Sequence, residues 1–133
     1  MNGYFGPQLN DGKHVLVFGS NEMGWHGKGA AYEAFRHWGA VYGRGVGRIG
    51  MAYAIPTKRS PNEVLSLFEI GDHVAHFLIY AQQHPELTFL VTKVGCGLAG
   101  FAEHEIAPFF ANSPDNCVLP DGWRNYETST PAP

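Results

Sequence analysis

Three short apolar runs punctuate this chain, and each leads straight into a loop built on glycine or proline. HVLVF (14–18) runs into GSNEMGWHGKG, MAYAIP (51–56) into TKR, and LTFLVTKVG (87–95) into CGLAGF. Runs this short and this rich in β-branched residues suit strands buried on both faces. Between them lie segments of helical period. Ala31, Ala34, Phe35 and Trp38 share one stripe of residues 28–38, with Gly39 at the stop position. Leu67, Ile70, Val74, Phe77, Leu78 and Ala81 form a second stripe that ends at His84-Pro85. In SPNE (60–63), Ser60 fits an N-cap, Pro61 the first helical position and Glu63 the third, so this helix is expected to start there. Gly71 is expected to weaken its middle and to divide it. A short helix over about 103–111 and a last strand at 116–119 complete a β-α-β-α-β-α-β order.

That alternation predicts an α/β fold with a largely parallel sheet. With 133 residues, one domain is expected, with an irregular lead-in at 1–13 and a frayed tail at 127–133. In parallel sheets, ligands sit beyond the carboxyl ends of the strands, so the three loops are expected on one edge.

Composition narrows the classes. A formal charge of −3 argues against binding a nucleic acid duplex. No apolar run is long enough to span a bilayer, and no basic stretch with an apolar follow-on opens the chain, so a cytoplasmic protein is expected. Cys96 and Cys117 make neither a disulfide framework nor a zinc site, and no metal or resident cofactor is expected. His73 and His76 share a helix face but lack a third ligand.

The distribution of residues says more than the totals. Nine of the 17 glycines lie between 19 and 50. From 28 to 59 there are six basic residues and one acid, Glu33; from 60 onward there are nine acids and only Lys93 and Arg124 as cations. Backbone free to approach closely, in a positive field, suits an anionic small molecule. A solvated mobile loop is the competing reading.

Two loops carry the chemistry. In the first, Gly27, Gly29 and Ala30 keep a helix start free of bulk, where unpaired N–H groups and the dipole favour phosphate. It matches neither the Walker A nor the GxGxxG pattern. In the second, Gly95, Gly97 and Gly100 surround Cys96, Leu98 and Ala99, and successive N–H groups of such a turn can form an anion nest. Asn21 is read either as orienting a sugar or as forming a local turn. His26 is read as a general base, as a cation for phosphate, or as a structural histidine. Lys28 and Arg48 offer charge. Trp25 and Tyr42 can stack on a base, on each other or in the core. Cys96 near a helix start is placed to have a lowered thiol pKa, or serves as a small residue beside phosphate. Glu103 and Glu105 suit a helix start.

The ordered motifs HVLVFGSNEMGWHGKGAA, YAIPTK, FLVTKVGCGLAGF and EIAPFF resemble a small family of macro-domain-like proteins of bacteria and their phages, over about residues 14–110. The resemblance implies a three-layer α/β sandwich with a mixed, largely parallel sheet and an ADP-ribose-like nucleotide as ligand. It implies that Asn21 is the ribose-side asparagine, and Gly19 and Ser20 are expected to line the ligand site beside it. For hydrolysis of an ADP-ribosyl bond, Asn21 is expected to position water, with His26 read as the base. Gly27, Lys28, Gly29 and Ala30 correspond to the first phosphate loop, and Gly95, Cys96, Gly97, Leu98, Ala99, Gly100 and Phe101 to the second, with Phe101 near the distal ribose. The first loop reads His26-Gly-Lys-Gly where macro domains carry three glycines, and Cys96 stands for a hydroxyl residue. Asp11 is the candidate for the early aspartate that reads adenine. The alternative expectation is a non-catalytic protein that sequesters a nucleotide immune signal. A protein-interaction module, whose glycine loops are only turns, is the other rival.

Overall fold

The computed structural model describes residues 11–126. The elements run β1 (His14–Asn21), α1 (Gly29–His37), β2 (Gly47–Ile49), β3 (Ala52–Ser60), β4 (Glu63–Val64), α2 (Leu67–Gln83), β5 (Thr88–Val91), α3 (Glu103–Phe110) and β6 (Cys117–Val118). The sheet order is β2-β3-β1-β5-β6, with β4 also paired to β3. β1 lies parallel to both β3 and β5, β5 lies parallel to β6, and β2 and β4 are antiparallel to β3. The fold is therefore α/β with a mixed, mostly parallel sheet.

Side chains alternate across the strands and sort into two apolar layers. Val15, Val17, Ile55, Phe89 and Val91 face α2 and α3, meeting Ile70, Val74, Phe77, Ile106 and Phe110. Leu16, Phe18, Ala52, Ala54 and Leu90 face α1, meeting Ala31, Ala34 and Trp38. One helix on one face and two on the other make three layers. Each strand residue in the centre is buried whichever way it points, which is why the strands read as continuous apolar runs.

Four sequence expectations are corrected here. α2 starts after Ser66, where the Glu69 N–H donates to Ser66 Oγ and Glu69 accepts from the Ser66 N–H, a full capping box. Ser60 ends β3 and Glu63 opens β4, and the two are paired with each other across the β3–β4 turn, so neither starts a helix. α2 is continuous through Gly71, where the Phe109 ring of α3 packs so close that a Cβ would come within 2.7 Å of it. β3 does not end at Pro56. Proline lacks only its own N–H, and the pairing register shifts at that point, between Ser20 and Asn21. The strand predicted over 87–95 is shorter, because Thr92 turns its hydroxyl and its N–H onto the Val17 carbonyl and the chain then folds into the second glycine loop. The lead-in up to residue 10 and the tail from 127 lie outside the described residues.

Candidate functional site

Parallel pairing brings the carboxyl ends of β1, β3 and β5 to one edge, and a cavity of about 990 Å³ opens there. Its wall takes Gly19, Ser20, Asn21, Trp25, Gly27, Lys28, Gly29 and Ala30 from the first loop and helix start. Gly95, Cys96, Gly97, Leu98 and Ala99 come from the second loop. Thr57, Lys58, Pro61 and Asn62 come from the end of β3 and the turn after it, and Thr92 and Lys93 from the end of β5. Two glycine turns almost 70 residues apart in sequence thus face one space.

The backbone on both sides carries free donors. α1 has no side-chain cap at Lys28 and no acid in its first turn. The first intrahelical partner is made by Tyr32, whose N–H donates to the Lys28 carbonyl, so the N–H groups of Gly29, Ala30 and Ala31 have no helical acceptor. Across the cavity, Cys96 donates to Lys93, Gly100 to Gly97 and Phe101 to Gly95. Among the described residues, the Gly97, Leu98 and Ala99 N–H groups find no backbone acceptor.

Glycine at two of these positions is not demanded by the chain itself. Gly97 has no positive φ, and a Cβ there would meet nothing within 4 Å; at Gly27 the only neighbour is the Tyr42 hydroxyl at 4.0 Å. Gly95, by contrast, has φ +79° and lies against Ile106, so its glycine is explained by the turn. Open space at Gly97 in a cavity wall leaves room for another molecule to approach the backbone.

The charged groups divide. Lys93 is paired with Glu103 at 2.9 Å. Lys28 and Lys58 make no ion pair among the described residues. Glu33, on α1, is the one acid in the wall, and its Oε2 is buried without a hydrogen-bond partner. Burial first, and the nearby Glu103 carboxylate second, push the Cys96 thiol up to about 11. The expectation of a lowered thiol pKa is corrected: burial raises it, and the group is a thiol at neutral pH.

The structure divides the residues expected in the site. Asn21 is nearly buried, and its amide is engaged twice by the loop: Nδ2 donates to the Trp25 carbonyl at 2.9 Å and Oδ1 accepts from the Trp25 N–H at 3.0 Å. The Ser20 hydroxyl donates to the Gly45 carbonyl. His26 is 0% exposed, lies behind the loop against Phe18 and Tyr42, and is hydrogen-bonded through Nε2 to the Val41 carbonyl at 2.8 Å. A carbonyl only accepts, so Nε2 carries a hydrogen, while Nδ1 is buried without a partner among the described residues. The structure therefore places His26 as an anchor of the loop, away from the cavity wall. Phe101 packs toward the α2–α3 layer, and neither it nor Gly100 lines the cavity. Arg48 is elsewhere, donating to the Gly50 carbonyl and the Tyr80 hydroxyl. Asp11 accepts from the Lys13 and His14 N–H groups at the opposite end of β1, which holds its carboxyl down to about 2. Glu105, in the first turn of α3, accepts from the Ala102 N–H, and Glu103 serves Lys93 and the Trp123 indole.

Sequence reasoning left Glu33, Lys58 and Asn62 out of the site. The signal for Lys58 was present, since the TKR loop follows a strand parallel to the first. Glu33 and Asn62 come in through tertiary packing alone. Among the described residues, no three His, Cys, Asp or Glu side chains are grouped to hold a metal ion, and no helix is long and apolar enough to cross a membrane. No protein-family model matches the chain, and comparisons with curated proteins and with solved structures gave no match.

Proposed function

We propose that this chain is a macro-domain-like binding protein for an ADP-ribose-like nucleotide, with the ligand's diphosphate between residues 27–31 and 95–99. The observation that carries the reading is that two trios of residues lining one cavity have N–H groups with no backbone acceptor among the described residues. Amides in such turns and helix starts attract anions without needing a charged side chain. Lys28 and Lys58, both without an ion pair among the described residues, add a positive field at the same place. The volume is of the size that small-molecule sites occupy. The resemblance of the loop motifs to macro-domain-like proteins of bacteria and phages points to the same ligand class.

Binding without turnover fits the side chains better than hydrolysis. A general base must reach the proton it removes. His26 is sealed behind the loop, and Asn21 holds the loop with both ends of its amide. That favours a protein that holds its nucleotide unchanged, as a sequestering protein does. Calorimetric titration with ADP-ribose tests the reading: saturable one-to-one heat is expected, with intact ligand recovered after denaturation. Absence of heat, or recovery of a cleaved product, would overturn it.

A further inference from the structure

Burying an indole is among the larger apolar gains a protein can make. Trp25 is 55% exposed, whereas Trp38 and Trp123 are 2% and 0% exposed. It stands in the cavity wall, next to Gly27 in sequence and on the same wall as Lys28. Its backbone is not loose. Asn21 holds both its N–H and its carbonyl. The following residue, His26, is buried and tied to Val41. The preceding one, Gly24, donates to the Asn21 carbonyl and accepts from the Gly43 N–H. A rigid backbone thus presents an exposed aromatic face beside a phosphate-type cradle.

We infer that Trp25 is a stacking platform, and that the site selects ligands joining a phosphate group to a planar aromatic ring. Asn21 is the positioning residue for that platform. The inference rests on the nucleotide reading above and adds the part of the ligand the amide cradle cannot recognise. Stacking on an indole is tolerant of base identity, since every base has a π-face. The site therefore discriminates ring-bearing from ring-free phosphates more strongly than it discriminates adenine from other bases.

The experiment uses the full chain and three probes: ADP-ribose, ribose 5-phosphate and inorganic pyrophosphate, the last two without an aromatic ring. Affinity is read by calorimetry and indole emission by fluorescence, which reports on Trp25 because it is the one exposed indole of the described residues. ADP-ribose is expected to bind more tightly than either ring-free probe and to quench the solvent-exposed part of the emission. Trp25→Ala should weaken ADP-ribose roughly tenfold or more, remove the quench, and leave pyrophosphate within about twofold of wild type. Trp25→Phe should keep most of the affinity. Asn21→Ala should also weaken ADP-ribose, yet add nothing in the Trp25→Ala background; additive losses would overturn its positioning role. If ADP-ribose binds no better than pyrophosphate, or Trp25→Ala leaves its affinity within twofold, the platform is wrong and the cradle stands. If no probe binds the wild-type chain, both fall.

Discussion

A side chain would meet backbone at Gly45 and open space at Gly97. A Cβ on Gly45 would come within 2.0 Å of the Asn21 carbonyl oxygen and 3.0 Å of the Gly24 nitrogen, both backbone atoms that cannot swing away. Gly45→Ala is therefore expected to destabilise the fold by about 2 kcal/mol or more, read as a lower denaturation midpoint. A Cβ on Gly97 would meet nothing within 4 Å. Gly97→Val should keep stability within about 1 kcal/mol and abolish ADP-ribose binding; binding that survived would make this loop a plain turn. Cys96 follows from desolvation. With its pKa pushed up to about 11, the thiolate fraction grows only as pH approaches that value. Alkylation by iodoacetamide at pH 8 is expected to be slower than for a free thiol and to rise steeply toward pH 11; fast reaction at pH 7 would contradict the burial. Glu33 has a buried oxygen without a partner. Glu33→Met removes that uncompensated group at similar shape, so the empty protein should gain about 1 kcal/mol, measured by urea unfolding.

At the scale of elements, two S-x-x-E signals six residues apart compete to start one helix. Ser60-x-x-Glu63 carries the extra proline cue, yet Ser66-x-x-Glu69 forms the cap. Local sequence cannot decide between them, because the choice depends on β3 running past Pro56 and recruiting Glu63–Val64 as an edge partner. Ser66→Ala should cost about 1 kcal/mol, whereas Ser60→Ala should be nearly neutral; the reverse order in thermal melts would return the helix start to Ser60. The same distinction explains β2. A three-residue strand inside a glycine-arginine loop has no period of its own, and Gly47–Ile49 is a strand only because Ala52–Ala54 lie opposite it. Gly71 reads as a helix breaker by propensity and is a contact residue in fact, with the Phe109 ring in the space a side chain would fill.

Across the whole molecule, charge and backbone polarity concentrate at one sheet edge. The stretch from 28 to 59 supplies Lys28 and Lys58 to the cavity, while Lys93 is neutralised there by Glu103. Fields of partly exposed cations are screened by salt, so raising ionic strength from about 0.02 to 0.5 M should weaken ADP-ribose several-fold. The amide donors, being short-range, should keep a residual affinity. A salt-independent affinity would remove the lysines from the site.

Periodicity alone determined the α/β class, the three buried strands and the two glycine loops at their carboxyl ends, because strand and helix patterns are imposed by local backbone geometry and by which residues resist water. Only the tertiary structure decided where each functional-looking side chain ends up. His26 and Phe101 sit in loops that line a cavity, yet both turn inward, since a ring finds more contact against Phe18 and Tyr42, or in the α2–α3 layer, than in solvent. Trp25, one residue from His26, faces outward. Neighbours along a chain can occupy opposite environments, and the packing of distant segments such as Val41–Gly45 sets which is which.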